Sequence, residues 1–122
     1  MNLGEIQKIL QAEALTENID FGMEIRMVKA SDLMSDVLSS CSSGALLITG
    51  LTNSQAVRTV EVADLCGIVF VRGKRPSEET IRLARDRGIP LLATKFPMYE
   101  TCGVLYSHGL AGIKEQKITD GR

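Results

Sequence analysis

Three short apolar runs do most to limit what this chain can fold into. They are Ala45-Leu46-Leu47-Ile48-Thr49, Gly67-Ile68-Val69-Phe70-Val71 and Ile89-Pro90-Leu91-Leu92-Ala93-Thr94. None alternates between apolar and polar residues, so each reads as a strand covered on both faces. A turn and then a segment with helical periodicity follow each one. Strands alternating with helices in this way build βα units and a mainly parallel sheet. The expected fold class is α/β, a single three-layer domain. Aromatics make up only 4% of the chain and there is no Trp, so its core is Leu, Ile, Val and Ala.

The flanking segments complete the pattern. Leu3, Ile6, Ile9 and Leu10 recur at helical spacing. Glu13 to Thr16 suits a short strand, and Glu24 to Lys29 a longer one. Ser31 is placed to cap a helix, with Asp32 at the positive end of its dipole and Leu33, Met34, Val37 and Leu38 as its apolar stripe. The helix after the first apolar run reaches about Leu65 and buries Ala56, Val57, Val60 and Ala63. The next opens at Pro76 or Ser77 and runs through Arg87, with Ile81, Ala84 and Gly88 on its core face. Met98, Thr101, Cys102 and Leu105 mark the stripe of the last. Residues 1–110 are read as the domain, and the Gly- and Lys-rich residues 111–122 as a loosely ordered tail.

Charge and composition exclude several function classes. Across 122 residues the net charge is −1, which offers no general positive field for nucleic acid. No apolar run approaches ~18 residues, and the first residues lack the pattern of a signal peptide, so a cytoplasmic protein without a membrane segment is expected. Cys41, Cys66 and Cys102 form no Cys-x-x-Cys pair and read as free thiols, with Cys66 and Cys102 in the core. His108 is the single histidine, at a helix C-terminus where a cation suits the dipole. No catalytic constellation, metal cluster or cofactor motif is present. Tyr99 and Tyr106, about two turns apart, share a helix face that is either core or interface.

Ligands of open α/β sheets bind beyond the carboxyl ends of the strands. Three loops leave that edge: Gly50-Leu51-Thr52-Asn53-Ser54, Arg72-Gly73-Lys74-Arg75 and Thr94-Lys95-Phe96. Each leads towards a helix N-terminus, where backbone donors and the dipole favour an anion. Gly50, Thr52, Asn53, Ser54, Arg72, Gly73, Lys74 and Lys95 are therefore the candidate ligand-binding residues, for a phosphate-bearing molecule such as a nucleotide. Thr52, Asn53 and Ser54 serve equally well as plain helix caps, and Gly50 and Gly73 as turn residues. Charge is also unevenly placed. Residues 1–36 hold three basic and seven acidic groups, and residues 72–95 hold seven basic and three acidic. Such a dipolar chain either presents solvated faces or pairs with a second copy of itself.

The order of Ala30-Ser31-Asp32-Leu33-Met34-Ser35-Asp36-Val37-Leu38, Leu46-Leu47-Ile48-Thr49-Gly50-Leu51-Thr52-Asn53, Ile68-Val69-Phe70-Val71-Arg72-Gly73-Lys74 and Gly88-Ile89-Pro90-Leu91-Leu92-Ala93-Thr94 resembles the DRTGG domain. The resemblance covers nearly the whole chain and implies a fold similar to the N-terminal domain of HPr kinase. The same domain accompanies CBS domains in some pyrophosphatases and occurs in some phosphotransacetylases. There it is a non-catalytic, regulatory or dimerising module. Where the family shows Gly-Asp-Arg this chain has Gly50-Leu51-Thr52-Asn53, and where it shows Thr-Gly-Gly this chain has Arg72-Gly73-Lys74, so only Gly50 and Gly73 carry over. The resemblance implies a non-enzymatic regulatory or adaptor domain, homodimeric and sensing a phosphorylated ligand. A ligand-free scaffold docking a redox- or hydrogenase-associated partner enzyme is the alternative. A phosphotransfer enzyme using Ser54 or Thr52 ranks last, because no base or metal site accompanies them.

Overall fold

The computed structural model of the protein describes residues 1–40 and 42–113. Helix α1 (Leu3–Ile9) starts in a capping box. The Asn2 side chain accepts from the Glu5 N–H, and the Glu5 carboxylate accepts from the Asn2 N–H. After β1 (Glu13–Ala14) the chain alternates strictly between strand and helix. The order is β2 (Met27–Ala30), α2 (Met34–Ser39), β3 (Leu46–Thr49), α3 (Ser54–Ala63), β4 (Gly67–Phe70), α4 (Glu78–Asp86), β5 (Leu91–Ala93), α5 (Met98–Ser107) and β6 (Ala111–Gly112). The strands form one sheet in the order β1-β5-β4-β3-β2-β6. All neighbours are parallel except β1, which runs antiparallel to β5.

The apolar runs behave as strands sealed on both faces. Leu47, Ile68, Phe70 and Leu91 point to one side, with Met34, Val37, Ala56, Val57, Val60 and Ala84 from α2, α3 and α4. Leu46, Ile48, Val69 and Leu92 point to the other, with Leu3, Ile6 and Leu10 from α1 and its C-cap, and Leu105 from α5. The two-residue period of a strand thus divides an unbroken apolar run between two cores. This is the three-layer α/β architecture expected.

Several local expectations are corrected. The second strand lies at Met27–Ala30 rather than Glu24–Lys29, because Ile25 donates its N–H to Met1 O and Glu24 pairs with Asn2. Helix α2 does not start behind Ser31. It begins at Met34, with Leu33 at the cap and no side-chain bond there. The Ser31 hydroxyl closes its own turn, accepting from the Leu33 N–H, and Asp32 reaches across to the next loop. Only Met34 and Val37 of the expected stripe are buried, since six helical residues present little more than one face, and Leu33 and Leu38 are exposed. Gly88 is not a core contact of α4. It is exposed, with φ +69°, in the left-handed conformation that glycine adopts after a helix end.

The far edge of the sheet also differs from expectation. Leu110 is buried, and Ala111–Gly112 pair with Met27 and Val28, so sheet structure reaches into the stretch read as tail. Residues 114–122 of that stretch, and Cys41, lie outside the described residues. Among the described residues no helix is long and apolar enough to cross a membrane.

Candidate functional site

The carboxyl ends of the parallel strands share one edge, and four loops leave it. The loop after β3 goes to α3 on one face, and so does the loop after β4 to α4. The loop after β5 goes to α5 on the opposite face. Adjacent strands β4 and β5 therefore send their chains in opposite directions, which opens a crevice between them in sheets of this kind.

In this protein the crevice is bridged. Arg72 N–H donates to Phe96 O at 2.9 Å, Gly73 N–H to Thr94 O at 2.9 Å, and Lys74 N–H to Val71 O at 3.2 Å. To make these bonds the chain takes a left-handed step at two successive residues, with φ +61° at Arg72 and +70° at Gly73. Glycine adopts that conformation freely, whereas an arginine is held there by its surroundings. The backbone donors of Arg72, Gly73 and Lys74 are thus spent on the fold, which leaves the side chains of these residues to face a ligand.

Below the crevice lies Gly50. A β-carbon there would stand 2.7 Å from Arg72 Nη2 and 3.6 Å from Asp32 Oδ1. The guanidinium fills the space that the glycine leaves. Asp32 Oδ1 accepts from the Gly50 N–H at 2.7 Å and from the Thr49 hydroxyl at 2.9 Å, and Thr49 Oγ1 accepts from the Leu51 N–H at 3.1 Å. Among the described residues the Arg72 guanidinium has no carboxylate within 4.0 Å and no hydrogen-bond acceptor. It is an exposed cation fixed at its base rather than at its tip.

The remaining candidates are less closely gathered. Asn53 caps α3, its side chain accepting from the Gln55 N–H at 3.1 Å, and Ser54 is the first helical residue. Thr52, just before them, is half-buried. Lys95 lies across the crevice, its Cγ 4.0 Å from where a β-carbon on Gly73 would sit. Lys74 is exposed beside them. Arg75 turns away and pairs with Glu13 at 2.5 Å, so one meeting of the basic segment with the acidic first third occurs within a single copy.

The three helix starts also differ. Helix α4 begins behind the Ser77 cap with Glu78 and Glu79 in its first turn, and α5 carries Glu100, while α3 has no acidic residue there. Only the start of α3 favours an anion. Sequence reasoning missed Asp32. It lies two residues past the end of β2 at this same edge, but it reads as part of a helix start.

Two other features lie elsewhere. A cleft of about 250 Å³ opens at the opposite sheet edge between Thr16, Ile19, Cys66, Arg85 and Pro90. Burial pushes the Cys66 thiol up to about 11 and raises Cys102 as well. Both are half-buried against the core rather than fully inside it. His108 ends α5 with its Nδ1 2.8 Å from Val104 O. Tyr99 and Tyr106 are 84% and 74% exposed and flank Gly103 on the outer face of α5, so they are not core residues. Among the described residues no group of His, Cys, Asp and Glu could hold a metal ion.

A comparison with curated proteins finds no match. Among solved structures, the CBS and DRTGG domains of the regulatory region of Clostridium perfringens pyrophosphatase, complexed with the activator diadenosine tetraphosphate, share the fold. The TM-score is 0.67 at 20% identity, over 85% of this chain and 45% of that one, so this chain spans less than half of its neighbour. The DRTGG domain family matches residues 5–107. With that span matched, and with the sheet order and both cores in place, the chain belongs to the DRTGG domain family.

Proposed function

We propose that this chain is a regulatory module without catalytic activity of its own, which takes a phosphorylated ligand of the nucleotide class at the carboxyl edge of its sheet. The observation that carries this reading is Arg72, whose guanidinium has no ion-pair partner within 4.0 Å among the described residues and is seated over Gly50 beside the start of α3. Arg presents several donors in a plane that matches phosphate oxygens. Lys74 and Lys95 stand on either side of the crevice and add charge without a fixed geometry. Thr52, Asn53 and Ser54 supply the helix start below. The neighbouring pyrophosphatase region, whose activator is a nucleotide, supports the same class of ligand. The half-buried thiols suit a reducing, cytoplasmic setting.

Equilibrium titration with ATP, AMP and diadenosine tetraphosphate tests the ligand. Saturable binding that Arg72→Ala weakens supports the reading, and no binding at millimolar concentration overturns it.

The module is also read as a homodimer. Two large aromatics exposed on either side of a glycine favour a surface that another chain covers. Sedimentation at ~100 μM gives a dimer on this reading, and a clean monomer at that concentration contradicts an interface of standard size. A partner enzyme on the same α5 face is the second reading. It is favoured over the dimer if the chain sediments alone as a monomer but co-purifies stoichiometrically with one protein.

A further inference from the structure

We infer that Asp32 makes the site selective for a phosphate carried on a hydroxylated sugar, with its carboxylate taking the hydroxyls while Arg72 takes the phosphate. This rests on the proposed phosphate site and names its ligand more narrowly. The two carboxylate oxygens of Asp32 are held differently. Oδ1 is fixed by the Thr49 hydroxyl at 2.9 Å and the Gly50 N–H at 2.7 Å. Oδ2 carries no hydrogen bond among the described residues, and the side chain is exposed. One oxygen therefore orients the group and the other is offered to a ligand.

The position of the carboxylate matters as much as its orientation. Asp32 Oδ1 and Arg72 Nη2 flank the same point, 3.6 and 2.7 Å from where a β-carbon on Gly50 would stand, yet the two groups are not ion-paired within 4.0 Å. A site meant for bare phosphate has no use for a carboxylate beside its cation, because like charges there repel the ligand. A ligand with both an anionic group and hydroxyl donors satisfies both side chains at once. A carboxylate at a strand end that accepts sugar hydroxyls, with the phosphate held nearby, is a chemically consistent pair. The shared chemistry is a phosphorylated vicinal diol, supplied by a ribonucleotide or by a free sugar phosphate.

The test compares ATP, 2′,3′-dideoxy-ATP, inorganic triphosphate and ribose 5-phosphate on the full chain and on Asp32→Asn. The amide oxygen of Asn still accepts from Gly50 and Thr49, but its nitrogen is a donor where Oδ2 was an acceptor. The wild type is expected to bind ATP about tenfold tighter than the dideoxy compound, the scale of a hydrogen bond to a charged group. In the variant that ratio falls to near one, and inorganic triphosphate binds as well or better. Ribose 5-phosphate binding with the same dependence on Asp32 assigns the sugar phosphate as sufficient, and binding by ATP but not ribose 5-phosphate assigns the ribonucleotide as the source of the diol.

Equal wild-type affinity for ATP and its dideoxy form overturns the inference while leaving the phosphate site standing. A variant that weakens triphosphate as much as ATP does the same, because Asp32 then acts only by shaping the loop. If the variant does not fold, the wild-type ratio still decides. If no phosphate binds the wild type, the site reading fails and this inference falls with it.

Discussion

The loops after β3 and β4 leave neighbouring strands at the same sheet edge, yet they are built in opposite ways. The β4 loop is tied down. Its three successive backbone donors, at Arg72, Gly73 and Lys74, all go to carbonyls within the fold, two of them on the β5 side of the crevice. The β3 loop is defined by an omission, the missing side chain of Gly50, and by the carboxylate of Asp32 that steadies it. One loop works as a rigid frame that projects a cation. The other is the floor that makes room for it. Arg72 is positioned at its base because its backbone is locked, and its tip rests in the space that Gly50 leaves.

Three substitutions break or sharpen that contrast. Phe70→Ala gives the largest effect, since Phe70 is fully buried directly before the β4 loop. A loss of about 3–5 kcal/mol in urea unfolding is expected. Next comes a pair of glycines. At Gly67 a β-carbon would stand 3.1 Å from the backbone oxygen of Pro90, which cannot swing aside, so Gly67→Ala should cost about 1–3 kcal/mol. At Gly50 the obstacle is the mobile tip of Arg72. Gly50→Ala should therefore change stability by less than about 1 kcal/mol. It should displace the guanidinium and weaken phosphate binding. Equal destabilisation at the two positions would contradict the reading that the obstacle over Gly50, unlike the backbone at Gly67, can move aside.

The smallest effect lies at the opposite sheet edge and serves as a control. The folded state holds the Cys66 proton up to about 11, above the ordinary thiol value of 9.0. The folded protein thus binds the proton more tightly than the unfolded chain, and stability falls as pH rises from 9.0 towards about 11. Cys66→Ala should flatten that fall, as unfolding midpoints against pH will show. Ligand binding near neutral pH should not respond to this substitution.

The readable and unreadable parts of the fold divide along physical lines. The three apolar runs were legible because a strand buried on both faces has no polar residue to interrupt it. Their loops follow from the same pattern, so the sequence alone puts Gly50, Arg72 and Lys95 at one edge. Asp32 was not. A Ser-Asp pair before an apolar residue signals a helix start, and local sequence cannot show that the carboxylate instead reaches eighteen residues ahead to Gly50. Lys29 escaped notice for a similar reason. It is a buried lysine in β2 whose ammonium lies 2.9 Å from Asp36 on α2, a pairing that exists only once the strand and helix have packed. Nor could the sequence show that the N–H groups of Arg72 and Gly73 are consumed by the β5 side, since that depends on which strands become neighbours.

Arg72→Gly tests the central claim most directly, because it separates the frame from the cation. The left-handed φ of +61° suits glycine better than arginine, so the fold should be kept or stabilised by up to about 1 kcal/mol. Titration of inorganic triphosphate and ATP into this variant should show at least a tenfold loss of affinity for both, with an unfolding midpoint no lower than that of the wild type. Unchanged affinity in a variant that remains folded would contradict the assignment of Arg72 as the anion anchor.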